Sequence, residues 1–84
     1  MSFYVYILLC SDGSFYTGYT KDLDARTKLH QYGKGAKYTK THKPKKLAYV
    51  EGFDSRSKAM KREKEIKKLN HQQKLNLVSS QNSK

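Results

Sequence analysis

The chain has 84 residues, one cysteine and a net charge of +11, from eighteen Lys and Arg against seven Asp and Glu. That length allows one domain with a small core. The lone Cys10 excludes an intramolecular disulfide and a cysteine-rich zinc site, and no apolar run reaches membrane-spanning length. Met1-Ser2-Phe3 lacks the basic region of a signal peptide, so a reducing, cytoplasmic setting is expected. The charge points to a polyanionic partner, nucleic acid ahead of an anionic membrane surface.

Residues 3–10 are β-branched, aromatic and aliphatic and predict a strand, and residues 15–20 predict a second. Asp12-Gly13 between them is a hairpin signal. From Lys21 the period changes: Leu23, Arg26, Thr27 and His30 share one helical face, capped by Thr20 or Asp22 and ended by Tyr32-Gly33. Residues 33–46 predict a loop, with six lysines, two glycines and one proline. Residues 47–53 predict a third strand. Asp54, Ser55 or Ser57 caps a second helix that runs through Leu69, and Asn70 caps a third over residues 71–78. Residues 79–84 are polar and predict a flexible tail after a single domain spanning 1–78. The order β-β-α-β-α-α, with a tight turn joining the first two strands, predicts an α+β fold: a three-stranded antiparallel sheet flanked by helices.

The hairpin register decides where two phenols point. A two-residue turn at Asp12-Gly13 would pair Tyr6 with Tyr19 and send Tyr6 and Tyr16 to opposite faces. A three-residue loop, Ser11-Asp12-Gly13, with Gly13 in the left-handed position, instead pairs Leu8 with Tyr16 and Tyr6 with Gly18. Both phenols then share a face, and Gly18 leaves space opposite Tyr6. The three-residue loop is the expectation. Tyrosines are also good strand residues, so the pair alone is equally a well-built hairpin.

Glu63 lies on the apolar stripe of the second helix, with Ala59, Met60, Ile66 and Leu69, while Lys61, Lys64, Lys67 and Lys68 mark a solvent face. A carboxylate beside a core needs a partner. It is either a ligand for Mg²⁺ or Mn²⁺, which keep several waters, or half of an ion pair with Arg26 or a lysine. Arg26 and His30, four apart, share a face. The arginine can fork onto a phosphate and the histidine can move a proton near neutral pH, although a histidine at a helix end is also an ordinary packing residue. The lysine loop is interleaved with Tyr38, Thr39, Thr41 and His42, which suits backbone contacts to nucleic acid without base reading. Lysine runs are also common as plain solvated surface.

These residues resemble the GIY-YIG nuclease superfamily over roughly residues 3 to 78. Tyr4-Val5-Tyr6 is similar to its first motif and Tyr16-Thr17-Gly18 to its second; Arg26 and His30 match its basic helix, and Glu63 its metal-binding glutamate. Gly33-Lys34-Gly35-Ala36-Lys37-Tyr38-Thr39 resembles a stretch of the small standalone bacterial branch. Tyr4 and Val5 replace the glycine and isoleucine of the first motif, and Thr17 the isoleucine of the second. Asn70 is the candidate for the carboxamide that many family nucleases place after the glutamate.

The resemblance implies hydrolysis of phosphodiester bonds with one Mg²⁺ or Mn²⁺, leaving 3′-hydroxyl and 5′-phosphate ends. It implies that Tyr6 or Tyr16 deprotonates or orients the water, Arg26 stabilises the transition state, Glu63 holds the ion, and His30 and Tyr38 orient groups about the phosphate. Gly18, Lys34, Lys37, Thr39, Lys40, Lys43, Lys45 and Lys46 would contact nucleic acid, DNA ahead of RNA, with a protein partner or homo-oligomer for targeting and no membrane. The proposal requires the phenols, Arg26 and Glu63 to surround a common cleft. The alternative is a non-catalytic nucleic-acid-binding module on the same scaffold.

Overall fold

The computed structural model describes residues 2–23 and 44–82. Strands β1 (Phe3–Cys10) and β2 (Phe15–Thr20) form the predicted hairpin. Gly13 N–H donates to Cys10 O at 2.9 Å, and Cys10 N–H to Ser14 O at 2.8 Å. Gly13 adopts φ +86°, the left-handed position that a side chain would resist. Asp12 Oδ1 accepts from both the Ser14 N–H and its hydroxyl, so the loop is braced by its own residues. The pairing is Leu8 with Tyr16 and Tyr6 with Gly18, as the three-residue loop requires. Beyond the hairpin, Thr20 Oγ1 accepts from the Asp22 N–H at 3.1 Å. The helix predicted from Lys21 and the loop after it lie, past Leu23, outside the described residues.

Strand β3 (Pro44–Phe53) pairs antiparallel with β1 and completes a sheet ordered β2-β1-β3. It starts three residues before the predicted strand. Register shifts between Ile7 and Leu8 and between Leu9 and Cys10 extend the pairing to Cys10 opposite Pro44, so Lys45 and Lys46 are strand residues, not loop. Proline is tolerated because it is the first residue of an outer strand.

Helix α1 (Arg56–Lys67) opens at Ser55, whose side chain accepts from the Lys58 N–H at 3.3 Å. It stops two residues short of Leu69, where Leu69 N–H turns back to Ile66 O at 3.0 Å. Helix α2 (His71–Asn82) is longer than predicted and runs past Val78. Its last turn is anchored by Gln81, whose amide accepts from the Val50 N–H at 3.0 Å and donates to the Val50 carbonyl at 2.6 Å. Both helices cover one face of the sheet. Val5, Ile7 and Tyr49 pack there with Ala59 and Ile66, flanked by Phe3, Phe15, Tyr19, Phe53, Leu77 and Val78. Tyr6, Leu8 and Cys10 alternate with these residues along β1, so they face the other way, and they too are buried.

Candidate active site

Tyr6 and Tyr16 lie on one face of the hairpin, ring centroids 6.4 Å apart and tilted by 45°. Tyr6 is buried, at 2% exposed, and Tyr16 is half-buried. Gly18 sits against both. A Cβ there would fall 2.6 Å from Tyr6 Oη, 2.8 Å from Tyr6 Cζ and 3.3 Å from Tyr16 Cε2. The absent side chain is thus what lets the first phenol lie flat over the second strand.

Glu63 occupies the sheet-facing stripe of α1 between Ala59 and Ile66, and is only 16% exposed. Among the described residues its ion-pair partner is Lys67, with Nζ 3.6 Å from Oε2 and a half-exposed side chain, so the sequence alternative of a lysine ion pair is present in a loose form. Arg56 donates to Tyr19 Oη on β2 at 3.2 Å. Glu63 follows Arg56 by seven residues, two helical turns, and projects almost the same way. Arg62 instead leans to β3, where its Nε donates to Glu51 Oε1 at 3.0 Å. Glu63 therefore lies on the β2 side of α1.

This placement amends the expected single cleft. The phenols occupy one face of the sheet and α1 packs on the other, so the carboxylate and the hydroxyls do not share a face. The margin common to both is the outer edge of β2, beyond which no further strand pairs among the described residues. The sequence could not foretell this, because both faces of β1 are apolar and either could have received the helix. Arg26, His30 and Tyr38, with Lys34, Lys37, Thr39, Lys40 and Lys43, lie outside the described residues. Lys45 and Lys46 are exposed at the start of β3, with Lys46 opposite Leu9.

Asn70 has a local task. Its Oδ1 accepts from the Gln73 N–H at 2.8 Å while Gln73 Oε1 accepts from the Asn70 N–H at 2.9 Å, a reciprocal cap on α2. Asn70→Ala should accordingly lower stability by about 1 kcal/mol in denaturant titrations and leave ion affinity at the wild-type value. A selective fall in ion affinity would return Asn70 to the site.

Two further constellations escaped the sequence reading. Glu51 Oε1 accepts from Tyr49 Oη at 2.9 Å as well as from Arg62, whose Nη1 lies 3.5 Å from Glu65 Oε1. Burial pushes the Tyr49 phenol above its ordinary value, and the hydrogen bond to Glu51 holds Arg62 firmly charged. Every charged member has a partner, so this network braces α1 against β3 and offers nothing to a substrate anion. At the other end of the fold, the His71 ring stacks on Phe15 at 5.0 Å and its Nε2 lies 2.9 Å from Gly13 O, tying α2 to the hairpin loop. Neither pairing has a local sequence signal, since the partners are far apart in the chain. Cys10 is buried, and desolvation raises its thiol above the usual range, as expected of an inert core thiol.

Among the described residues no group of three or more His, Cys, Asp and Glu comes together. The donor chemistry is one carboxylate oxygen pair at a half-covered position. That suits Mg²⁺ or Mn²⁺ with water and phosphate oxygens as further ligands, and does not suit a zinc or calcium cage built from protein groups alone. No described helix is long and apolar enough to cross a membrane.

The profile of the GIY-YIG catalytic domain matches residues 2–76. A UPF0213 protein of Staphylococcus saprophyticus is 54% identical over 76 residues, covering 90% of this chain and 93% of that one. The UPF0213 protein of Bacillus halodurans, solved in solution by NMR, is 52% identical with a TM-score of 0.61, covering 94% of this chain and 84% of that one. An Enterococcus faecalis protein, also solved by NMR, is 40% identical with a TM-score of 0.66 and covers all of this chain, 100%, and 90% of its own. The α+β fold is thus held in common with solved relatives of similar size, and the chain belongs to the GIY-YIG family of nuclease domains, among its single-domain UPF0213 members.

Proposed function

We propose that this domain is a divalent-ion-dependent endonuclease of low sequence preference, acting in the cytoplasm on DNA ahead of RNA. The observation that carries the reading is the seating of Tyr6 and Tyr16 side by side over a glycine that has no room for a methyl group. A hairpin that needed only strand residues would not require Gly18 to be bare at that point.

The site would straddle β2. Tyr16, the more accessible phenol, would meet the attacking water at the strand's margin, and Tyr6, locked beneath it, would orient Tyr16. Glu63 would approach from the α1 side and hold Mg²⁺ or Mn²⁺. The bound ion would supply Lewis acidity toward the phosphate and lower the pKa of water. That lightens the task of a phenol, whose reference pKa of about 10 makes it a weak base. Arg26 would neutralise charge developing on phosphorus, with His30 and Tyr38 orienting groups about it. Lys45, Lys46 and the lysines before them would grip the backbone without reading bases. A protein partner or a second copy would provide targeting.

One observation favours the non-catalytic reading: α1 and the phenols are on opposite faces, with Glu63 already ion-paired to Lys67. The deciding experiment is incubation with labelled linear, nicked, branched and single-stranded DNA and RNA in Mg²⁺ or Mn²⁺, with Tyr16→Phe and Arg26→Ala beside the wild type. Ion-dependent cutting lost in both variants supports the nuclease. Binding without cutting on every substrate leaves the scaffold as a binding module. In either case nucleic-acid affinity should drop about tenfold or more between 50 and 200 mM salt, through counterion release; a flat response, measured by fluorescence anisotropy, would remove the lysines from the interface.

A further inference from the structure

The second motif carries Thr17 between its tyrosine and its glycine, and the hydroxyl of that threonine is anomalous. Thr17 is 3% exposed, and its Oγ1 is buried without a hydrogen-bond partner among the described residues. A buried hydroxyl left unpaired destabilises a core, and a valine would fill the same space without that penalty. Thr17 alternates with Tyr16 and Gly18, so it points to the face that α1 covers.

The location of the hydroxyl beneath the helix can be read from two fixed contacts. At the start of α1, Arg56 meets Tyr19. Just past its end, His71 stacks on Phe15. Tyr19 and Phe15 flank Thr17 symmetrically on β2, two residues to either side, and belong to the same face. α1 therefore runs along β2 in the opposite sense, and the middle of the strand lies under the middle of the helix. Glu63 is midway between Arg56 and His71 in sequence and sits on the sheet-facing stripe. These two contacts bracket both the orphan hydroxyl on β2 and the one carboxylate on that stripe of α1. In the described conformation the carboxylate is turned to Lys67.

We propose that Thr17 is a positioning residue for the ion site: when Glu63 turns from Lys67 to hold a divalent ion, Thr17 Oγ1 donates a hydrogen bond to one carboxylate oxygen and leaves the other for the ion. This rests on the ion-dependent reading above. Carboxylates that bind metals are commonly oriented by such a neighbour, and losing it weakens the metal by roughly 10–100-fold. The unpaired hydroxyl then has a use: it holds the carboxylate that holds the ion.

The test compares wild type, Thr17→Val and Thr17→Ser by Mn²⁺ titration in a calorimeter and by thermal melting with and without Mn²⁺, neither of which needs turnover. The Val variant should melt no lower than wild type without ion, and should bind Mn²⁺ about tenfold or more weakly and lose most of the ion-induced rise in Tm. The Ser variant, which keeps the hydroxyl and drops the methyl, should bind Mn²⁺ within about threefold of wild type. A Val variant that binds Mn²⁺ like wild type overturns the proposal and leaves the ion site standing. Equal loss in both variants also overturns it, since the methyl and not the hydroxyl would then matter. A wild type that takes up no Mn²⁺ overturns both this and the ion-dependent reading.

Discussion

Gly18→Ala should destabilise the domain by about 1–3 kcal/mol, the usual range for forcing a methyl group into a filled site, and should displace Tyr6 from Tyr16. The new Cβ would arrive 2.6 Å from Tyr6 Oη and 2.8 Å from Cζ, closer than real carbon contacts allow. Tyr6 cannot step aside, because it is 2% exposed and Leu8, next to it on the same face, is buried as well. The penalty is one of space, since Gly18 is not among the glycines with positive φ. Urea titration of the single variant, of Tyr6→Phe and of the pair checks this. The two changes should couple: Tyr6→Phe removes the nearer of the two clashing atoms but keeps Cζ, so the double variant should regain part of the loss and not all of it. Strict additivity would mean that the methyl group finds room elsewhere.

With Glu63 holding the ion as proposed, Glu63→Ala should lower cleavage by at least about a hundredfold while nucleic-acid binding stays within about twofold, since several kcal/mol of transition-state stabilisation would pass through that ion and each 1.4 kcal/mol is tenfold in rate. Folding should be affected little. The carboxylate's partner, Lys67, is about half exposed at 54%, and ion pairs of that kind contribute at most about 1 kcal/mol. Removing the ion from wild type with a chelator should reproduce the variant's phenotype. Cleavage by Glu63→Ala at the wild-type rate would exclude the carboxylate from the chemistry, and parallel loss of binding would recast it as a fold residue.

How much of this was legible beforehand depends on the range of the forces involved. The hairpin register followed from Ser11-Asp12-Gly13, because the left-handed glycine and the Asp12 bonds to Ser14 are settled within four residues. The Asn70 cap was readable for the same reason, while Ser55 was one of three neighbouring candidates for α1 until the structure chose it. The early start of β3 was not, because Pro44-Lys45-Lys46 has no apolar alternation and the bulges opposite are a property of two paired strands. Nor was the end of α2: the polar run after Val78 is held helical by Gln81 reaching a strand thirty-one residues earlier. The stripe that holds Glu63 was visible as a helical pattern, but the side of the sheet that receives it was not, since alternate residues of β1 are apolar on both faces.

Gln81 has one more consequence. By matching both the N–H and the C=O of Val50, its amide behaves like a single residue of a fourth strand and stoppers the β3 flank against another chain. An extended peptide or a second copy seeking a sheet to lengthen would find the place opposite Val50 already taken, so one glutamine in the final turn of α2 both fastens the helix and closes that stretch of edge.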